Sequence, residues 1–285
     1  MPLVNEDGKI FGVLAGHPND PNWPEIHRLA AAALEERRCQ CRVSEKNKEH
    51  RRGHFKSLRC GVSHGGGQSY PKNLHNTKAN EALLEELNNL KPFRRLVGFS
   101  SSVLSTWAPG VHQYYIDYLG KLYEHHPELK RTFRNSIFPA PTYNFGRQTV
   151  CYRHIDYANL PFGWCSITAL GSFDHTKGGH LVLWDCRLVI EFPAGSTILI
   201  PSGILSHSNT TISDDEKRYS FTQYAARGLF RWVENGFQTL EERKKLFTKL
   251  QNAKAAEEDS RRWIFGLSLL SNYKYVPTEP DVATF

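Results

Sequence analysis

The stretch between residues 163 and 224 alternates short apolar runs with turn-forming residues. The runs are rich in β-branched and aromatic side chains, and glycine or proline separates them at close intervals. No helical period fits them, and the pattern is typical of antiparallel strands in a double-sheet jelly roll rather than of an α/β fold. The predicted strands cover residues 163–170, 178–184, 188–192, 196–201 and 218–224.

Helical patterns flank this stretch on both sides. One begins near Pro24, where proline suits the first turn of a helix and alanines fill the following turns. The predicted helices cover residues 24–38, 80–90, 111–125, 239–252 and 255–269. We therefore predict a mainly β protein with helical flanks (α+β). A basic helical region (1–139), a jelly-roll core (140–235) and C-terminal helices (236–285) would form one integrated catalytic domain.

Three side chains of types that bind iron lie within the predicted core. In an extended segment His154 and Asp156 project to the same side, because successive side chains alternate. His207 follows two further apolar runs, where a returning strand would reach the same end of a small barrel. Two imidazoles and one carboxylate leave the opposite metal positions open, as in non-haem Fe(II) oxygenases. An isolated His-x-Asp is a common pattern, so the interpretation depends on the order and spacing of the whole set.

The alternating stretch after His207 supplies a candidate anion anchor. It places Arg218, Ser220 and Thr222 on one face. A planar guanidinium with a hydroxyl beside it suits bidentate capture of a carboxylate at the end of a buried pocket. We therefore predict that Arg218 and Ser220 bind a dicarboxylate co-substrate.

In this order, several motifs resemble those of the 2-oxoglutarate- and Fe(II)-dependent dioxygenase superfamily, whose core is a double-stranded β-helix. The motifs are His154-Ile155-Asp156, Gly178-Gly179-His180-Leu181, Pro193-Ala194-Gly195-Ser196, His207 and Arg218-x-Ser220. The resemblance implies that the two histidines and the aspartate bind Fe(II). It also implies that 2-oxoglutarate binds the iron and pairs its distal carboxylate with Arg218, and that dioxygen is the second co-substrate.

The N-terminal region, with Gly65-Gly66-Gly67-Gln68, and the segment 143–162 resemble the fungal branch of the TET/JBP oxygenases. This finer resemblance implies oxidation of a methylated base in DNA, either 5-methylcytosine or 6-methyladenine. The chain lacks the cysteine-rich zinc region of animal TET enzymes, so their way of gripping DNA is not carried over.

A methylated base must leave the duplex to reach the iron, and it then needs a pocket that stacks its ring and reads its edge. Each aromatic candidate for that pocket is more often a core residue, and His180 is the most suggestive. The candidates are Tyr143, Asn144, Tyr157, Trp164, Phe173, His175 and His180.

Two other function classes stay open. A protein side-chain hydroxylase would share every metal and co-substrate residue and would differ only at the entrance. A non-catalytic nucleic-acid-binding module is disfavoured because no metal ligand is missing.

Composition agrees with an intracellular enzyme that meets a polyanion. The 285 residues are 40% hydrophobic, which permits a large core, and their net charge is +7. The six cysteines are too sparse and irregular for a secreted disulfide scaffold. No N-terminal apolar run resembles a signal peptide or a membrane span, so we expect a reducing intracellular compartment, the nucleus, and no membrane partner.

The positive charge is concentrated in residues 28–59, which hold ten Lys or Arg against four Glu. Such a segment is typical of phosphate contacts to double-stranded DNA, although a solvated helix face explains it nearly as well. The predicted phosphate contacts are Arg51, Arg52, Lys56 and Arg59.

The same region contains side chains that could bind zinc. They are Cys39, Cys41, His50, His54, Cys60 and His64. Their irregular spacing differs from that of structural zinc sites, so incidental cysteines and histidines are the favoured interpretation.

Overall fold

A computed structural model describes residues 1–50 and 52–274, with the backbone alone for residues 46, 47, 258 and 259. The strands are β1 (Pro2–Val4), β2 (Ile10–Gly16), β3 (Glu49–His50), β4 (Gly53–His54), β5 (Ser57–Arg59), β6 (Val62–Ser63), β7 (Lys72–Asn73), β8 (Ala140–Asn144), β9 (Cys165–Ser172), β10 (Leu181–Leu183), β11 (Leu188–Ile190), β12 (Thr197–Ile200), β13 (His207–Asn209) and β14 (Lys217–Tyr224). The helices are α1 (Trp23–Arg37), α2 (Glu45–Lys48), α3 (Lys78–Asn89), α4 (Lys91–Trp107), α5 (Pro109–His125), α6 (Arg227–Glu234), α7 (Leu240–Leu246) and α8 (Lys249–Ser268). In this described part of the chain, no helix has both the length and the apolar character needed to cross a bilayer.

Two facing sheets form the core. The major sheet has the order β1-β2-β12-β9-β14-β8-β5, and the minor sheet has the order β11-β10-β13. An antiparallel bridge between His154 and His207 adds the segment before β9 to the minor sheet, beside β13. Along the chain, β8, β9, β12 and β14 join the major sheet, while the His154 segment, β10, β11 and β13 join the minor one. This alternation is the winding of a double-stranded β-helix, and it confirms the predicted jelly roll.

The pairing register decides which side chains face the barrel interior. Ser220 pairs with Ala169 on one side and with Asn144 on the other, and directly opposed residues share a face of the sheet. Arg218 lies two residues from Ser220 and therefore has the same orientation. The predicted inner face of β14 is confirmed. Its neighbours inside the barrel are apolar side chains of both sheets, namely Ala169, Leu181, Leu183, Phe192, Ile198 and Ile200.

Helices cover the outer face of the major sheet. Tyr143, Tyr219 and Phe221 point outward into a cluster with buried residues of α1, α3 and α4. Helix α4 has no counterpart among the predicted helices, although Pro92 lies in its first turn and its buried apolar residues recur at helical spacing. Helices α5 and α6 pack together in a second cluster that includes Trp164.

Two further regions differ from the prediction. The major sheet extends beyond residues 140–235, because β1, β2 and β5 from the N-terminal region join it. The C-terminal helices divide near Phe247, whereas the sequence predicts the division at residues 252–255. Capping boxes at Thr239 and Thr248 each begin a new helix, which fixes the break between them.

Candidate active site

His154, Asp156 and His207 come together at one end of the barrel. One ligand atom from each lies within 4.8 Å of the others, and this is the one potential metal-ligand group of three among the described residues. Nε2 of His154 is 3.8 Å from Oδ1 of Asp156, and Nε2 of His207 is 3.9 Å from Oδ2 of the same carboxylate. The two histidine side chains are only 6% and 5% exposed, and the aspartate side chain is 17% exposed. The predicted ligand set therefore shares one small, partly enclosed space.

Backbone carbonyls orient both imidazoles. Nδ1 of His154 donates to the carbonyl of Tyr152 at 2.7 Å, and Nδ1 of His207 donates to the carbonyl of Leu205 at 2.9 Å. A carbonyl can only accept, so the proton lies on Nδ1 in both rings and the Nε2 lone pairs are available. Hydrogen bonds of this kind fix the tautomer and the direction of metal-binding histidines.

Backbone hydrogen bonds hold the three positions relative to one another. His154 and His207 exchange two such bonds of 3.0 Å each, and the Asp156 N–H donates to the carbonyl of Ser202 at 2.8 Å. The segment carries an isolated bridge at His154 rather than the extended strand that the alternation predicted. Two causes lower the pKa of His154 to about 4: burial is the larger, and the neighbouring His207 is the second. The imidazole is therefore neutral at physiological pH, which is the form that binds metals.

Arg218 is a buried cation inside the same barrel. The residue is 3% exposed, and its Nη1 donates to the carbonyl of Thr149 at 3.0 Å. Its Nε has no hydrogen-bond partner among the described residues. Burial lowers the pKa of Arg218 to about 10, so the group stays charged at neutral pH. A buried guanidinium with an unused donor can bind an anion that supplies the missing acceptor.

Side chains next to Arg218 complete this pocket. Nδ2 of Asn144 donates to Oγ of Ser220 at 2.8 Å, while the buried Oδ1 of Asn144 lacks a partner in the described structure. The guanidinium carbon of Arg218 lies over the ring of Phe173, 5.8 Å from the ring centroid. Hydroxyl, amide and guanidinium groups thus face one space enclosed by the apolar barrel interior.

The structure brings some of the predicted substrate residues near the site and places others in the core. Asn144 faces the barrel interior, and Tyr157, which is 64% exposed, follows directly after Asp156. Tyr143 was predicted beside the substrate, but it is fully buried on the opposite face and its hydroxyl donates to Oδ1 of Asn88 at 2.7 Å. Trp164 is likewise corrected to a core residue, because it is 1% exposed and packs with α5.

The two remaining histidine candidates lie away from the ligand group. Nδ1 of His175 is 3.1 Å from a carboxylate oxygen of Glu191 on the protein surface. His180 precedes β10, in which Leu183 is the residue opposite His207. Three residues of strand correspond to about 10 Å, so His180 is not adjacent to the ligand group.

Much of the charge in residues 28–59 is neutralised within the protein. Arg28, Arg37 and Arg38 each pair with a glutamate of α1 or α3. Nζ of Lys56, a predicted phosphate contact, donates to the carbonyls of Arg38 and Cys41 at 3.2 and 2.9 Å, so two of its three N–H donors are used within the protein.

The other three predicted phosphate contacts are placed differently. Arg51 lies outside the described residues. Arg52 is half-buried, and its carbonyl accepts from the Tyr152 N–H at 2.7 Å, while Arg59 is exposed.

The cysteines and histidines considered as zinc ligands are dispersed. Sγ of Cys60 contacts Asn88, and Nδ1 of His64 is 3.0 Å from the carbonyl of Gly228. Cys41 is 2% exposed, and burial raises its pKa to about 11, whereas Cys39 is exposed. Within the ranges that the structure describes, no three of these side chains form a ligand group.

Several residues that shape the site have no signal in the sequence. Asn209 accepts from the Cys151 N–H at 2.8 Å and donates to the Thr149 carbonyl at 3.1 Å, which joins β13 to the segment before His154. The carbonyls of Tyr152, Leu205 and Ser202 act through the backbone alone. Sequence patterns of side chains do not identify such groups.

The sequence matches no protein-family model and no curated protein. Among solved structures, the chain resembles NgTET1 in complex with 5mC DNA, with 14% identity and a TM-score of 0.55 over 79% of this chain and 75% of that one. An oxidoreductase of the 2OG-Fe(II) oxygenase family from Burkholderia pseudomallei matches at 19% identity and a TM-score of 0.38, over 78% of this chain and 86% of that one. A Pseudomonas putida prolyl-4-hydroxylase matches at 13% identity and a TM-score of 0.37, over 76% and 92%. The first similarity supports the double-stranded β-helix, and the TM-scores of the other two are too low to bear on it.

Proposed function

We propose that this chain is an Fe(II)- and 2-oxoglutarate-dependent dioxygenase that oxidises a methylated base in DNA. The observation that carries this proposal is the pairing of a two-histidine, one-carboxylate face with a buried guanidinium inside the same barrel. A buried cation is costly unless an anion compensates it. The distal carboxylate of 2-oxoglutarate would supply both that charge and an acceptor for Nε of Arg218.

The residues present fit the metal and the co-substrate. His154 and His207 would bind Fe(II) through Nε2, and Asp156 would bind it through one carboxylate oxygen. When bound, the iron and 2-oxoglutarate supply the oxidising chemistry. The chain fixes the imidazole directions through Tyr152 and Leu205, and its apolar barrel interior excludes water.

Exposed apolar side chains beside the ligands favour a flat substrate group. Tyr152, Ile155 and Tyr157 belong to residues 152–159, the ligand segment that carries His154 and Asp156, and they are 58%, 38% and 64% exposed. Trp184, which directly follows β10, is 44% exposed. Exposed aromatic rings can stack on unpaired bases. The solved structure of NgTET1 in complex with 5mC DNA, which this chain resembles in fold, agrees with a base as substrate.

The test is nucleoside mass spectrometry after aerobic incubation with Fe(II), 2-oxoglutarate and duplex DNA carrying 5-methylcytosine or 6-methyladenine. We expect an oxidised base with wild-type protein and none with His207→Ala. Proline- and lysine-containing peptides form a parallel arm. Hydroxylated peptide without any oxidised base would transfer the assignment to a protein hydroxylase, and absence of succinate in every arm would contradict the oxygenase itself.

A further inference from the structure

Besides the Arg218 pocket inside the barrel, a second cavity lies outside the barrel, next to the segment that carries His154 and Asp156. Its volume is about 230 Å³, and α5, α6, α8 and the loop at Leu160 and Pro161 line it. Since one water molecule occupies about 30 Å³ in the liquid, the cavity has room for a phosphate group with several waters. Three of its lining residues are arginines, namely Arg227, Arg231 and Arg262.

Backbone hydrogen bonds tie this cavity to the candidate metal ligands. The Arg227 N–H donates to the carbonyl of Ala158 at 2.9 Å, only two residues after Asp156. Leu160 donates to the carbonyl of Ala225 at 3.0 Å, and Asn159 forms a bridge with Ala226. The first turn of α6 and the ligand segment therefore form one connected unit, and a group bound in the cavity would have a fixed position relative to the metal.

The charges around the cavity do not cancel. Glu234 is the one carboxylate in its lining, and it is already 2.8 Å from Nη2 of Arg262 and accepts from the Tyr114 hydroxyl at 2.8 Å. Within the described residues, Arg227 and Arg231 have no ion pair or side-chain hydrogen bond. These two arginines are four residues apart on α6, where like charges face each other and destabilise the helix. An anion between them would remove that repulsion.

We propose that the cavity formed by Arg227, Arg231 and Arg262 binds a backbone phosphate of the DNA substrate next to the base that enters the active site. This inference rests on the proposed function. A planar guanidinium fork suits two phosphate oxygens, and a fixed phosphate would set which nucleotide stands before the metal. We place the main phosphate contact at this cavity rather than in the segment 28–59, because four cations of that segment, Arg28, Arg37, Arg38 and Lys56, are already bound within the protein.

The experiment compares two double variants of equal charge. Arg227→Gln with Arg231→Gln removes two cations from the cavity. Lys78→Gln with Lys91→Gln removes two exposed cations from α3 and α4, behind the major sheet. Binding of a fluorescent duplex carrying 5-methylcytosine is measured by anisotropy with the Fe(II)- and 2-oxoglutarate-loaded proteins under anaerobic conditions, across a salt series. Circular dichroism and thermal unfolding check that each variant is folded.

We expect the cavity variant to bind DNA roughly tenfold more weakly, and its plot of log K against log salt to flatten by about one unit, as for one lost phosphate contact. The control should change far less in both measurements. Equal affinity in the cavity variant, or an equal loss in the control, would overturn the inference.

Two further arms separate the possible sources of the anion and the possible failures. If inorganic phosphate raises the thermal midpoint of wild-type protein but not of the cavity variant, while DNA affinity is equal in both, the site takes a free anion and the DNA contact is refuted. If wild-type protein oxidises the base but the cavity variant binds DNA normally, this inference fails and the proposed function stands. If no DNA is oxidised or bound by wild-type protein, the proposed function fails first.

Discussion

His154 and His207 exchange both of their backbone hydrogen bonds, so their imidazoles extend from directly opposed positions of adjacent segments with ring centroids 4.3 Å apart. The bridge converts two residues that are 53 positions apart in sequence into one rigid pair. Asp156, two residues after His154, then completes the set of three ligand side chains.

The first prediction concerns the metal ligands. His207→Ala should lower Fe(II) affinity by about 100-fold or more, because loss of a residue that only orients a metal ligand already costs 10- to 100-fold in affinity. It should also abolish succinate production, because the two remaining ligands cannot replace the lost one. Iron content after anaerobic loading and desalting measures the first effect. His180→Ala is the matched histidine control and should retain iron. Normal iron content in His207→Ala would remove this residue from the site.

The second prediction concerns the co-substrate anchor. Arg218→Ala should raise the KM for 2-oxoglutarate roughly 10- to 100-fold, since a hydrogen bond to a charged group contributes about 1.5–3 kcal/mol. Arg218→Lys should restore only part of it, because an ammonium cannot form the planar fork. Arg147→Ala is the control, because the neighbouring Arg147 guanidinium pairs with Glu35, with 3.6 Å between Nε and the carboxylate oxygen. An unchanged KM in Arg218→Ala would mean that another cation binds the co-substrate.

The third prediction uses two adjacent residues on opposite faces of β8. Tyr143→Phe should lower the free energy of unfolding by about 1 kcal/mol through loss of its bond to Asn88, with no change in KM. Asn144→Ala should raise the KM for 2-oxoglutarate about tenfold, because its amide faces the Arg218 pocket through Ser220. Chemical denaturation and initial-rate kinetics measure the two effects. A kinetic defect in Tyr143→Phe equal to that of Asn144→Ala would contradict the assigned faces.

The fourth prediction follows from burial at Cys41. With a pKa of about 11, its thiol at pH 8 is thiolate in about one molecule in a thousand. Iodoacetamide should therefore label exposed Cys39 at least tenfold faster than Cys41, and the Cys41 rate should rise about tenfold per pH unit until pH approaches 11. Peptide mass spectrometry follows both sites. If both thiols were equally protected from labelling and a chelator removed that protection, the result would indicate bound zinc and would contradict the separate placement of Cys39 and Cys41.

The inner face of β14 could be predicted from sequence because its two faces differ in chemistry. Arg218 and Ser220 are polar and lie inside the barrel, whereas Tyr219 and Phe221 pack against helices. In β8 every residue is buried, so alternation does not reveal which face looks inward, and the prediction includes both Tyr143 and Asn144 although only Asn144 faces the barrel interior.

Local composition hid other elements. Glycine and serines within α4 weaken its helical signal, and packing against the sheet, rather than intrinsic propensity, stabilises the helix. In the basic segment 28–59, the sequence overstates the number of free cations, because Glu86 of α3, which pairs with Arg37, is distant in sequence. The cavity at Arg227 depends on contacts between α6, α8 and the ligand segment, which charge patterns alone do not show.

The most direct test of the account is the fate of dioxygen. Wild-type protein is incubated under ¹⁸O₂ with Fe(II), 2-oxoglutarate and duplex DNA carrying 5-methylcytosine, and succinate and the released nucleosides are analysed by mass spectrometry. The account predicts one ¹⁸O atom in succinate and one in the newly oxidised base, allowing for exchange with water, in equal molar amounts and absent from His207→Ala. Labelled succinate that forms without any oxidised base, or an oxidised base that forms without 2-oxoglutarate, would contradict it.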